Sequence, residues 1–176
     1  MDGKSTKENI QTEINSASIE FHRLIDSLTP QDFQRQSLNP GWTNGEIVAH
    51  ILFGFIILIP LLGMARLWGK MPKKSSRPFA WLLNAFTIPF NWINAWGARG
   101  QGIVFTKERA GRIFERVTEI LLRRAASIKD QEWQNGMYAP TRWDANFEEF
   151  MTLEKFFHYP VIHFKFHLSQ ISFKQE

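Results

Sequence analysis

The sequence predicts an all-α protein, a four-helix bundle with a long apolar insertion between its second and third helices. Two observations lead there. Four stretches repeat apolar residues at helical spacing, and nothing alternates with period two over a strand's length, so no sheet is expected. The chain has 176 residues, 44% of them hydrophobic, which suits a single domain over residues 1–176 with a substantial core.

The first helix runs from Ser5 to Leu28, where Ile10, Ile14, Ala17, Phe21, Leu24, Ile25 and Leu28 form one stripe. His22 stands at the edge of that stripe and reads as a boundary residue. Turn formers follow: Thr29 and Pro30 can start a short turn, and Asn39-Pro40-Gly41 breaks the chain. Thr43, with Glu46 three residues on, forms a capping box that launches the second helix, and His50 lies two turns inside it. From Ile51 to Ala65 no residue is charged, and counting back to Ile47 gives nineteen residues interrupted only by His50, a borderline length for crossing a bilayer; Pro60 would kink such a helix by freeing the Ile56 carbonyl.

The insertion covers roughly residues 66–105. A basic loop from Arg66 to Arg77 leads into a Trp-rich apolar segment spaced by Asn84, Asn91 and Asn94, with the look of an interfacial or docking helix. A four-helix core of this size cannot cover all of it. Phe79 to Trp96 is therefore expected to pack across one end of the bundle, or to form an exposed patch used for homodimerisation or lipid contact. Thr106 caps the third long helix, whose predicted stripe is Ala110, Ile113, Val117, Ile120, Leu121, Ala125 and Ile128. Residues 129–149 read as connection, and Thr152 opens the last helix.

Composition removes several classes of function. With no cysteine, disulfides, thiolate ligands and cysteine nucleophiles are excluded. A net charge of +4 with scattered basic residues, clustered only between Arg66 and Arg77, predicts no nucleic-acid partner. The polar start lacks the apolar core of a signal peptide, which predicts a cytoplasmic location. Seven Trp and sixteen Phe against two Tyr imply thick helix packing, a lipid-facing surface, or both.

Three of the five histidines fall between Phe156 and Gln170. His163 and His167 are four residues apart, about 40° around a helix and one turn along it, so both imidazoles can reach one ion. His158 is turned about 140° from His163 and stays outside the pair. A reactive site usually takes three protein ligands, and His50 is the natural third: it lies about 10 Å into its helix, as His167 lies about 9 Å from the end of the last. The depths match if those helices are antiparallel. Spacing leaves two readings open, a divalent metal on three imidazoles or three core histidines paired with polar neighbours.

Gly41 to Ile51, GWTNGEIVAHI, and Met151 to Ile171, MTLEKFFHYPVIHFKFHLSQI, resemble the corresponding segments of the DinB/YfiT-like proteins: a Trp and a helix cap before a histidine, then His-x3-His and a following Gln. That resemblance implies a four-helix bundle binding a divalent metal through His50, His163 and His167. It also implies S-transferase or isomerase chemistry with a low-molecular-weight thiol as cosubstrate. Three imidazoles suit zinc, nickel or iron alike. Gln170, on about the same face as the pair, can orient an imidazole or a substrate; Glu46 can carry a proton or only cap its helix; Tyr159 can donate to a substrate or only pack. Two functions remain: a metal-dependent transferase or hydrolase acting on a small molecule, or a membrane-associated or protein-binding helical protein using residues 47–65 and 79–96.

Overall fold

The structure, a computed structural model, describes residues 3–93 and 106–173. Its helices are α1 (Gly3–Ser27), α2 (Pro30–Gln34), α3 (Asn44–Trp68), α4 (Arg77–Ala85), a run α5 over 87–93, α6 (Lys107–Ala126) and α7 (Leu153–Leu168). The protein is mostly helical. That part of the expected insertion which falls at 94–105, including Asn94 and Trp96, lies outside the described residues.

Local chemistry explains where the helices begin. Thr29, Thr43, Thr106 and Thr152 each accept a hydrogen bond from the backbone N–H three residues on, and at Thr29 and Thr43 the side chains of Asp32 and Glu46 reach back in full capping boxes. Helices α1 and α3 both pack against α6 and α7, closing a ring of four. All seven residues of the predicted α1 stripe are buried. Of the predicted α6 stripe, Ala110, Val117, Leu121, Ala125 and Ile128 are buried and Ile113 and Ile120 only partly covered, while Phe114, outside that stripe, is fully buried, its ring 4.0 Å from Phe21 and 4.6 Å from Phe55. Phe114 meets aromatic rings on two other helices, a preference that spacing along α6 does not encode.

Helix α3 is long and apolar enough by composition to cross a membrane. Its Ile47, Ile51, Leu52, Phe55, Leu58 and Leu61 are nonetheless part of the common core. A helix that packs on two neighbours is apolar on more than one face, which accounts for its missing polar side. It also runs unbroken through Pro60.

The expectation of no sheet is corrected. Strands β1 (Gly136–Tyr138) and β2 (Phe150–Thr152) form an antiparallel ladder, with Gly136 opposite Thr152. Three residues a side are too few for period two to register in the sequence. Gly136 makes the pairing, since a Cβ there would stand 2.0 Å from the Met151 carbonyl oxygen.

A buried amide fixes the relation between α3 and α7. Fully buried Asn44, at the start of α3, donates to the Asp32 carbonyl at 2.9 Å and the Ser172 carbonyl at 2.7 Å, and accepts from the Ser172 N–H at 3.0 Å. Leu38 N–H donates to the Gln170 carbonyl at 2.8 Å beside it. The beginning of α3 is thus stitched to the end of α7, as antiparallel neighbours require. Asn44→Ala leaves the buried Asp32 carbonyl and the half-buried Ser172 carbonyl and N–H without these partners, so urea denaturation should show a loss of about 1–3 kcal/mol.

Candidate metal centre

His50 on α3 and His163 and His167 on α7 converge. One nitrogen from each lies within 4.8 Å of the others. His163 and His167 are buried and His50 is half-buried. His163 Nε2 is 3.2 Å from His50 Nε2. Two nitrogens on one tetrahedral ion, each at about 2.0–2.1 Å, stand about 3.3–3.4 Å apart, so this spacing fits shared coordination. A shared proton accounts for one such pair. A third imidazole at the same place is the donor set that a divalent ion uses.

The supporting contacts orient the rings. His167 Nδ1 stands 2.8 Å from Gln170 Oε1, a carbonyl that can only accept, so Nδ1 carries the proton and Nε2 is left as the donor nitrogen. His163 Nδ1 is buried with no hydrogen-bond partner among the described residues. It lies against Gly54 of α3, where a Cβ would be 2.7 Å away. Only glycine lets the two backbones approach closely enough to seat that ring. The Trp42 ring packs edge-on against His50 at 5.1 Å.

Burial decides the protonation of the cluster. It pushes His163 down to about 2, with His50 and His167 adding to the effect. His167 is also lowered by burial, which outweighs the opposing pulls of Gln170 and Asp144. Both imidazoles are therefore neutral at physiological pH, the form that binds metal.

Asp144 was not among the sequence candidates. Its Oδ2 lies 3.7 Å from His163 Nε2 and accepts a hydrogen bond from the Tyr159 hydroxyl at 3.0 Å. Its Oδ1 accepts from Asn146 N–H at 2.7 Å, in a turn that aims the carboxylate. Asp144 sits in an aperiodic loop, so no spacing pointed to it; the Asp-x-Asn turn was the one local signal. Burial first, and then the Asp144 charge, raises the Tyr159 phenol above its usual range, so Tyr159 acts as a donor.

The other predicted residues are now placed. Gln170 touches His167. Glu46 accepts from the Thr43 N–H at 2.7 Å, the capping use. His158 lies away from the cluster, its Nδ1 2.7 Å from a Glu13 carboxylate oxygen on α1. His22 is 3.3 Å from Glu115. A pocket of about 110 Å³ opens beside His50 and His163, walled by Phe53, Phe90, Trp143 and Asp144. Phe90, from α5, stacks on Trp143 at 3.9 Å.

Fold and site together define a helical protein with a largely buried three-histidine cluster beside an aromatic pocket. The family model of the DinB superfamily matches residues 17–171, and the chain belongs to that superfamily. In fold it is similar to a crystal structure of the mycothiol-dependent maleylpyruvate isomerase, with a TM-score of 0.64 at 15% identity. The match covers 94% of this chain and 60% of that one, so the chain spans less than two thirds of its structural relative. No curated protein matches the chain.

Proposed function

We propose that this protein is a divalent-metal-dependent enzyme that joins a low-molecular-weight thiol to a small electrophile, a cytoplasmic S-transferase-like activity within one domain over residues 1–176. In this reading α1, α3, α6 and α7 are a four-helix bundle, and roughly residues 66–105 are its insertion. The observation that carries the proposal is the convergence of His50, His163 and His167 at the foot of an open pocket. The solved relative named for a mycothiol-dependent isomerase supports the choice of a thiol.

His50, His163 and His167 would hold the ion, and zinc, nickel or iron would suit these imidazoles. When bound, such an ion supplies the positive charge that lets a thiol or water lose its proton near neutral pH. The chain's own residues do the rest. Gln170 fixes the His167 ring, and Gly54 gives His163 its place. Asp144 faces the same space and can accept the released proton, while Tyr159 holds its carboxylate in position. Phe53, Phe90 and Trp143 exclude water and offer aromatic surface to an apolar acceptor. Since the chain has no cysteine, the sulfur nucleophile comes from the cosubstrate.

A panel of low-molecular-weight thiols with a chromogenic electrophile tests the reaction class. Turnover should require a thiol and fall at least on the order of 100-fold in Asp144→Asn, within the range that a positioned acid–base group contributes. A rate indifferent to thiol would mean hydrolysis.

A further inference from the structure

The insertion carries a second surface that the metal chemistry does not use. Helices α4 and α5 are apolar on both sides. Their inner side is engaged: Ala80 is buried, the Leu83 carbonyl accepts from the Trp143 indole at 2.9 Å, and Phe90 stacks on Trp143. Their outer side carries Trp81 (73% exposed), Leu82, Phe86, Ile88 (74%), Trp92 (67%) and Ile93. Helical spacing gathers these residues, since Trp81 and Leu82 fall on one side of α4, opposite Ala80 and Leu83, and Ile88 and Trp92 on one side of α5, opposite Phe90. A helix that is apolar all round is covered on all sides when it works. Large apolar side chains left exposed together on neighbouring helices in this way mark a binding surface.

Charge identifies what covers it. From Arg66 to Phe105 the sequence contains Arg66, Lys70, Lys73, Lys74, Arg77 and Arg99 and no acidic residue. Lys70, Lys73, Lys74 and Arg77 are exposed in the turn that leads into α4. Arg77 meets Glu149 at 3.5 Å and Lys73 lies over the Phe150 ring, but Lys70 and Lys74 make no ion pair among the described residues. Trp-bearing helices beside a cluster of four basic residues match an anionic lipid surface: the rings enter the headgroup boundary and the cations meet lipid phosphates. A second copy fits poorly, because a two-fold interface would set this basic turn against itself.

We infer that α4, α5 and the preceding basic turn form a docking surface for anionic bilayers, on which the protein lies peripherally with α3 remaining in its own core. Phe90 belongs to both regions, so docking brings the mouth of the aromatic pocket close to the membrane. The inference does not depend on the metal.

The test uses the full chain and vesicles of phosphatidylcholine with or without about 30% phosphatidylglycerol, at low salt and at roughly 0.5 M salt. The protein should sediment with anionic vesicles only, show a blue shift of tryptophan emission on binding, and release at high salt. Trp81→Ser with Trp92→Ser, and separately Lys70→Glu with Lys74→Glu, should each lower partitioning by at least on the order of tenfold. All four positions are exposed, so circular dichroism should be unchanged. Chelation should leave binding intact, which separates this result from the fate of the metal reading. Absence of binding, or equal binding to neutral vesicles, would overturn the inference. So would a concentration-dependent dimer that the Trp substitutions dissociate, because the face would then belong to a second copy.

Discussion

Alanine in place of His50, His163 or His167 is expected to strip the purified protein of divalent metal, with His158→Ala retaining the wild-type content. Elemental analysis of the four variants reads this directly. Each of the first three removes one of the nitrogens that lie within 4.8 Å of one another, leaving two imidazoles, which hold an ion weakly. His158 shares α7 but pairs with Glu13, so its loss does not reach the site. Affinity should fall by more than the roughly 10–100-fold that removing a supporting contact costs, and Gln170→Ala, which removes such a contact from His167, should fall within that range. Metal content that ignored the three ligand changes and followed His158 would reject the site.

The second large effect concerns pH, and it appears once a chelator has removed any ion. The His163 imidazole titrates near 6.5 in the unfolded chain but is held down to about 2 by burial in the folded one. Between those values the unfolded state binds one more proton, so acidification favours unfolding. This histidine's contribution is complete above about pH 6.5 and is lost progressively as pH falls, by up to about 1.4 kcal/mol per pH unit; His167 acts in the same direction. Urea midpoints of the metal-free protein should drop steadily from pH 6.5 to about 5, before most carboxylates titrate. His163→Leu, neutral at every pH, should flatten the slope. An equally steep slope in that variant would mean that His163 is not the buried proton acceptor.

Much of the site could be read from the chain because helices turn spacing into direction. His163 and His167 had to share a face, and a capping box fixed where His50 lay along α3. Gln170 lay within the same helical arithmetic. Asp144 was invisible for the opposite reason: it comes from an aperiodic loop whose path depends on the β1–β2 ladder, the Tyr159 hydroxyl and the Trp143–Phe90 stack. Gly54 had no local signature either, since it matters only when another helix brings an imidazole against it.

By itself, the sequence determined where the long helices start, which residues α1 buries, and that the chain supplies no cysteine nucleophile or thiolate ligand, because capping, periodicity and composition can be read along the chain. Tertiary structure decided the rest. Whether α3 faced lipid or protein was not written in its uniformly apolar sequence; its packing against α6 and α7 set that. The Asn44 links bring the end of α7 beside the start of α3, and the meeting of His50 with His163 and His167 depends on that contact across more than a hundred residues. Local propensity acts over a few residues, whereas a site assembled from distant helices exists only when the chain has closed on itself.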